Sequence, residues 1–302
     1  MAVSDASASA TSARAQRWGT GALRQALEPL LPGLTIDVVE ATASTNSDLL
    51  ERARLAGAAR AGSGGADALP GLLVAEHQRA GRGRLGRSWQ SPAGASLTFS
   101  LALELAPRDW SGLSVAVGVA LAEALQTGGA STTAPRVGLK WPNDLCLLDG
   151  TVTGGRKIGG VLIETVAAGA DRVAVIGVGI NIAAVTAALP ADLAGRVGCL
   201  REIDPTATAP GTLGRVALPL VRALKAFERD GFAAFGARFE PLDALRDAAV
   251  VTSDARSAQG TARGVDDQGG LRVETADGVH VIRGGEVSVR PAGQALPARE
   301  AR

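Results

Sequence analysis

Apolar residues recur along this chain with two different periods, and the changes between them sketch its elements. Leu23, Leu27 and Leu30 fall on one face of a helix expected over Trp18–Leu31, and a strand is expected from Leu34 to Val39. Ser44 or Thr45 can cap a helix carrying Leu49, Leu50 and Leu55. Gly57 to Gly71 is small and flexible and reads as a surface connection. The buried run Leu72–Glu76 and the alternating run Ser96–Leu105 read as strands, with an Ala/Val/Leu-rich helix at Ser111–Gln126. Val137–Leu148 reads as one or two strands interrupted at Pro142. Lys157–Val166 and Arg172–Ile182 read as a central antiparallel pair turning at Ala168-Gly169. Ala183 to Thr212 is irregular. It precedes a helix with Leu220, Leu224 and Phe227 on one stripe, expected to run to about Phe239.

After about Leu245 the texture changes. Ala249–Val251, Gln259–Gly264, Leu271–Val273 and Val279–Ile282 are short strand signals, with turns at Asp266–Gly269 and Asp277-Gly278. Such spacing predicts a small barrel as a second domain. The expected organisation is a loose tail over 1–17, a mixed domain over 18–244, the barrel over 245–290 and a second tail over 291–302. No internal repeat is visible.

Composition narrows the function. The chain has 302 residues, of which 46% are apolar, so a sizeable core is available. Its 31 basic and 30 acidic residues leave a net charge of +1. There is thus no bulk attraction to nucleic acid or membrane, and any basic function must be local. Two cysteines, Cys146 and Cys199, make neither a disulfide framework nor a zinc site, and a reducing cytoplasm is the simplest setting. Two histidines far apart, His77 and His280, argue against a histidine-rich metal site or a Ser-His-Asp triad. No run is long and apolar enough to span a bilayer, and the first residues have no apolar core of a signal peptide.

Four segments carry polar groups where packing alone would not ask for them. Gly81-Arg82-Gly83-Arg84-Leu85-Gly86-Arg87-Ser88-Trp89 combines close backbone approach with guanidinium forks and an aromatic surface. Alone it suits an anion site or a solvated basic loop equally. Gln78, just before it, can donate to and accept from a neutral ligand. Ser44-Thr45-Asn46 reads as a helix cap that leaves backbone N–H groups for a polar ligand. Lys140-Trp141-Pro142-Asn143-Asp144 is a turn whose amide and carboxylate suit Mg²⁺ or a nucleotide hydroxyl, with Trp141 in the core or as a stacking platform. Gly154–Glu164 places Lys157 at the head of a buried strand, where an anionic ligand would offset the burial of its ammonium. Gly177-Val178-Gly179-Ile180-Asn181 lacks the third glycine and following helix of a dinucleotide fingerprint, and its glycines leave room for a flat ligand. A pocket with cations and no resident nucleophile suits a reaction between two bound substrates, such as adenylation of a carboxylic acid.

In order and spacing, these segments resemble biotin protein ligase from about Leu34 to about Arg290. The resemblance implies an α+β catalytic domain with a mixed, mainly antiparallel sheet and flanking helices, like that of class II aminoacyl-tRNA synthetases, plus an SH3-like C-terminal barrel. It implies biotin and MgATP as substrates, biotinyl-5′-AMP as intermediate, and a lysine of a biotin carboxyl carrier domain of an acyl-CoA carboxylase as acceptor. By motif, Ser44, Thr45, Asn46, Gln78, Arg82, Gly83, Arg84, Lys157, Gly160 and Gly179 would bind biotin. Arg84, Arg87, Trp89, Asn143, Asp144, Lys157 and Asn181 would bind ATP. Lys157 and Arg84 would carry catalysis, and Asp144 would hold Mg²⁺. Family members that repress transcription carry an N-terminal winged helix. Only one short helix is expected before Ser44 here, so no sequence-specific DNA binding is expected. Lipoate ligase is the nearest rival, but the arginine loop with Trp89 does not suit it. A nucleic-acid-binding module is disfavoured by the balanced charge and the apolar, glycine-lined strands.

Overall fold

The computed structural model describes residues 11–61, 69–126, 136–168, 171–184, 195–253, 259–283 and 289–292. Two sheets organise the chain. The larger has seven strands: β1 (Thr35–Thr42), β2 (Gly71–Gln78), β5 (Ser96–Glu104), β9 (Asp171–Asn181), β8 (Arg156–Ala168), β7 (Asp144–Leu147) and β6 (Val137–Lys140), in that spatial order. Among the described strands only β1 and β2 pair in parallel, and helix α3 (Thr45–Ala61) makes the crossover between them. Between β2 and β5 the chain forms a two-stranded hairpin, β3 (Gly81–Arg82) with β4 (Ser88–Trp89). The smaller sheet holds β10 (Ala249–Thr252), β11 (Gln259–Val265), β12 (Leu271–Thr275), β13 (Gly278–Ile282) and β14 (Val289–Pro291), ordered β13-β12-β11-β10-β14. This mixed sheet followed by a small all-antiparallel one is the fold class expected.

Burial divides the two faces of the large sheet. On one face, Leu49, Leu50 and Ala53 of α3 pack on Leu73, Ala102, Val173 and Val175. On the other lie α4 (Leu113–Leu125) and α5 (Ala209–Asp230), which contribute Val117, Leu121, Leu220, Leu224 and Phe227 to the main core. Helix α4 is apolar on almost every side because it is enclosed on almost every side. The small sheet joins the same core through Val250, Leu271 and Ile282. Its seat is tight: a Cβ at Gly112 would come within 2.8 Å of Gln268 O in the turn after β11, and Trp141 Nε1 donates to Gly269 O at 2.9 Å. Trp141 is thus a core residue that ties the two sheets together, 2% exposed.

Several local expectations change. Residues 11–17, placed in a loose tail, form helix α1, and α2 (Thr20–Leu27) follows it across Gly19. The reason is Glu76 on β2, which accepts from Arg14, Arg17 and Trp18 Nε1. Burial opposes ionisation of Glu76, but the Trp18 bond and the two guanidiniums hold its carboxyl below the usual range. The long helix expected to reach Phe239 stops at Asp230, because Gly231 takes φ 65° and a tight turn precedes the short helix α6 (Gly236–Phe239). Its start lies at Ala209, inside the stretch read as irregular. Thr208 Oγ1 accepts from Gly211 N, and Pro210 occupies the first turn, where a missing N–H costs nothing. Helix α3 runs past Gly57 to Ala61, since Gly57 presses on Ala168, where a Cβ would come within 2.7 Å of its Cα. Strand β14 was not anticipated. The turn expected at Ala168-Gly169 and the C-terminal tail beyond 292 fall at least partly outside the described residues.

Candidate active site

Cross-strand register builds a trough in the sheet face beneath the start of α3. Asp144 lies opposite Gly160, Gly160 opposite Gly179, and Gly179 opposite Thr98, so four neighbouring strands present two positions without a side chain. One row along, Leu162, Gly177 and Ser100 are in register. The glycines are demanded by what lies above them. A Cβ at Gly177 would collide with the Asn46 amide, and one at Gly179 would come within 2.5 Å of the Trp89 indole.

Lys157 reaches this face through a bulge. Leu145 pairs with Gly159, but the next residue, Cys146, pairs with Lys157, so Ile158 is the extra residue on β8. Ile158 and Gly159 therefore both face the core, and Lys157 is turned onto the side occupied by Asp144 and Gly160. A strand of unbroken alternation would have sent this lysine into the apolar core with Ile158's neighbours. The sequence suggested a lysine drawn inward, and the bulge is what places it in the trough. Its Nζ lies 2.6 Å from Asp144 Oδ1 and 5.7 Å from the centre of the Trp89 ring.

The cleft over the trough has a volume of about 750 Å³. All the site residues singled out in the sequence line it: Ser44, Thr45, Asn46, Gln78, Arg82, Gly83, Arg84, Arg87, Trp89, Asn143, Asp144, Lys157, Gly160, Gly179 and Asn181. They come from six regions of the chain, and the fold brings them into one wall.

At one end the polar groups are neutral and bonded to each other. Thr45 N and Oγ1 donate to Gln78 Oε1, at 2.8 and 3.2 Å, and Thr45 Oγ1 lies 2.7 Å from Ser100 Oγ. Ser100 Oγ donates to Asn46 Oδ1 at 2.6 Å, and Asn46 Nδ2 donates to Leu162 O and Glu164 Oε2. Ser44 Oγ accepts from Ser47 N at the start of α3. Ser91 ties the end of the arginine loop to its beginning by accepting from Gln78 N at 3.0 Å.

The other end is charged. Lys140, Lys157, Arg84, Arg87, Arg196 and Arg290 line it, and Asp144 is the one carboxylate among the described lining residues. Burial works against the Asp144 charge, but Lys157, Lys140 and Arg84 outweigh it and hold the carboxyl below its ordinary value. Burial lowers the pKa of Lys140 and of Arg84. Burial, with Asp144 nearby, pushes the Cys146 thiol up to about 12, which leaves it inert as a nucleophile. Arg84 Nη1 donates to Asn143 Oδ1 at 3.1 Å, and the Asn143 Nδ2 donates to Val161 O, so the Pro-Asn-Asp turn is locked to β8. Asn181 Nδ2 donates to Gly198 O, which fixes the segment carrying Arg196. No three His, Cys, Asp or Glu side chains gather among the described residues to hold a metal ion. Asp144, expected at Mg²⁺, pairs with the Lys157 ammonium.

Ser100, Lys140, Glu164, Arg196 and Arg290 were not assigned from sequence. Ser100 had a signal: the alternation Ser96, Thr98, Ser100 within an apolar strand puts three hydroxyls on one face. Arg196 and Arg290 had none, because they reach the cleft only through the fold of distant segments.

The fold and cleft define a ligase of the class described as the "Biotin/lipoate A/B protein ligase family", whose model matches residues 68–181. A "Biotin protein ligase C terminal domain" model matches residues 250–290. The chain is 36% identical over 254 residues to the bifunctional ligase/repressor BirA of Salmonella typhimurium, covering 82% of this chain and 72% of the relative. It is 32% identical over 267 residues to the biotin–[acetyl-CoA-carboxylase] ligase of Mycobacterium tuberculosis, covering 83% and 88%. Among solved structures, the biotin protein ligase of Aquifex aeolicus in complex with biotin and ATP superposes with a TM-score of 0.67 at 27% identity, covering 85% of this chain and 99% of that one. This chain belongs to the biotin protein ligase family.

Proposed function

We propose that this ligase joins biotin to ATP, giving biotinyl-5′-AMP and diphosphate, and then passes the biotinyl group to a lysine of a biotin carboxyl carrier domain of an acyl-CoA carboxylase. The carrying observation is Lys157, turned by a bulge into a glycine-floored trough between Asp144 and the Trp89 ring.

In this reading the neutral end, with Ser44, Thr45, Asn46 and Gln78, takes the uncharged ring system of biotin, and Gly160 and Gly179 border it. Arg82, Gly83 and Arg84 close over it. The biotin carboxylate attacks the α-phosphorus, and diphosphate leaves. Lys157 and Arg84 hold the carboxylate and the α-phosphate oxygens, where negative charge develops; one such donor typically contributes about 10²–10³ in rate. Arg87, Asn143 and Asn181 contact the nucleotide and Trp89 packs near the adenine. Asp144 holds Lys157 in place, and Mg²⁺ arrives with ATP as part of that substrate. In the second step an acceptor lysine amine attacks the acyl carbonyl and AMP leaves, so no protein nucleophile is needed, in keeping with the buried, protonated Cys146.

Ligation without transcriptional repression is the activity proposed. In support, α1 and Trp18 are fastened to the catalytic sheet through Glu76, and Leu23 and Leu27 of α2 join the core. A cytoplasmic setting is also proposed, since Cys146 and Cys199 are free and buried. No helix among the described residues is long and apolar enough to cross a membrane.

The test is mass spectrometry of an unmodified carboxylase carrier domain after incubation with the protein, biotin and MgATP, beside a lipoate control. An ATP-dependent gain of one biotinyl group is expected. A gain with lipoate alone would overturn the substrate assignment.

A further inference from the structure

The arginine loop and the Asn46 cradle share one partner that lies outside the cleft wall. Glu164 stands on β8, one row beyond Leu162 and in register with Val175. Its Oε1 accepts from Arg82 Nη2 at 2.9 Å, and its Oε2 accepts from Asn46 Nδ2 at 3.0 Å. Arg82 also donates to Ser47 Oγ at 3.3 Å, in the first turn of α3.

We propose that Glu164 is the positioning residue that holds the arginine loop closed over the neutral end of the cleft and orients Asn46 beneath it. This rests on the ligase reading above. An ion pair between two mobile surface chains contributes little, because both must be ordered to make it. Glu164 differs in that its second oxygen is fixed by Asn46, which is 3% exposed and itself bonded to Ser100 and Leu162. The carboxylate is therefore a stationary anchor, and only Arg82, half-exposed, has to settle on it. Without the carboxylate charge the ion pair is lost, and Arg82 is left with neutral acceptors, the Ser47 hydroxyl and an amide oxygen. Glu164 acts through Arg82 and Asn46 rather than on the substrates, so its loss should act on retention of the intermediate more than on its formation.

The test uses the full chain with Glu164→Gln and Glu164→Asp. Trypsin cleavage after Arg84 and Arg87 in the ligand-free protein reports loop closure. Escape of preformed biotinyl-AMP to a hydroxylamine trap reports retention. In Glu164→Gln, cleavage and escape are each expected to rise about tenfold, the KM for biotin to rise several-fold, and the KM for ATP to stay put. Glu164→Asp should recover part of each. Salt should speed cleavage and escape in the unmodified protein and have little effect in Glu164→Gln, because screening acts on the pair that this variant lacks. Unchanged cleavage and salt response would overturn the proposal. So would a fall in melting temperature with all rates lowered alike, the mark of a merely structural residue. The cleavage arm needs no substrate. Closure confirmed there without any adenylate forming would remove the ligase reading and the claim on retention, and leave Glu164 as the loop's anchor.

Discussion

At the Asn46 end of the cleft the groups beneath the arginine loop are neutral, buried and bonded to one another, with the Glu164–Arg82 pair at their edge, whereas at the Lys157 end they are charged. Thr45, Asn46 and Ser100 are each at most 3% exposed and satisfied by internal partners. Lys157 pairs with Asp144, and Lys140 and Arg84 lie close enough to favour the charge of the same carboxylate. A satisfied neutral network is rigid and selects by shape and direction. A cluster of cations draws in a polyphosphate through its local field. On the proposed reading, the first end takes an uncharged heterocycle and the second a nucleotide.

The comparison breaks most visibly at Asp144. Asp144→Asn leaves Lys157 and Lys140 facing each other without a counter-charge. The expected result is a fall of about 10²-fold in kcat/KM for ATP, with the KM for biotin little changed. Steady-state kinetics varying each substrate in turn measure this, and an ATP dependence equal to that of the unmodified protein would falsify the assignment. At the other end, Gly177→Ala drives a Cβ into the Asn46 amide. Its expected effect is the reverse split, a KM for biotin raised about tenfold or more with ATP unaffected. Equal binding of biotin by calorimetry would show that Asn46 can yield.

How much of this was legible in the sequence depends on the range of the signal. The two periods located nearly every strand and helix, and the glycine and arginine motifs named the residues that the fold collects in one cleft. What sequence reading missed is what register decides. The bulge at Ile158 depends on how β7 meets β8, and no local pattern reveals which residue is the extra one. Glu164 has no role visible in the sequence, because Arg82 and Asn46 meet it only in the fold. The break at Gly231 and the helix of residues 11–17 were misread because a single glycine and a distant Glu76 overrode the apolar pattern.

A smaller effect is expected from Ser100→Ala, which strips a donor from Asn46 Oδ1 and a partner from Thr45. The loss should be about 1–2 kcal/mol in biotin binding, near tenfold in Kd, with the fold intact. Unchanged affinity would mean that a neighbouring hydroxyl replaces Ser100. An effect of similar size, on stability and not on activity, lies away from the cleft. Asp243, between β6 and the small sheet, accepts from Leu245 N with one oxygen, while the other is buried without a partner among the described residues. Burial raises its pKa to about 6. A carboxyl raised on folding makes the native state bind the proton more tightly, so its burden on stability is absent at low pH and grows as pH rises towards and through 6. Asp243→Asn should therefore stabilise the protein by about 1–2 kcal/mol at neutral pH, with the gain shrinking towards pH 4. Denaturant titrations across that range check it, and a gain independent of pH would contradict the stated cause.

The central claim is that Lys157 sits where carboxylate and α-phosphate meet, and biotin-dependent exchange between ATP and diphosphate tests it most directly. The unmodified protein should exchange only when biotin is present. Lys157→Gln, with its melting curve retained, should lose about 10²–10³-fold. Exchange within a few-fold of the unmodified protein in Lys157→Gln would contradict the account.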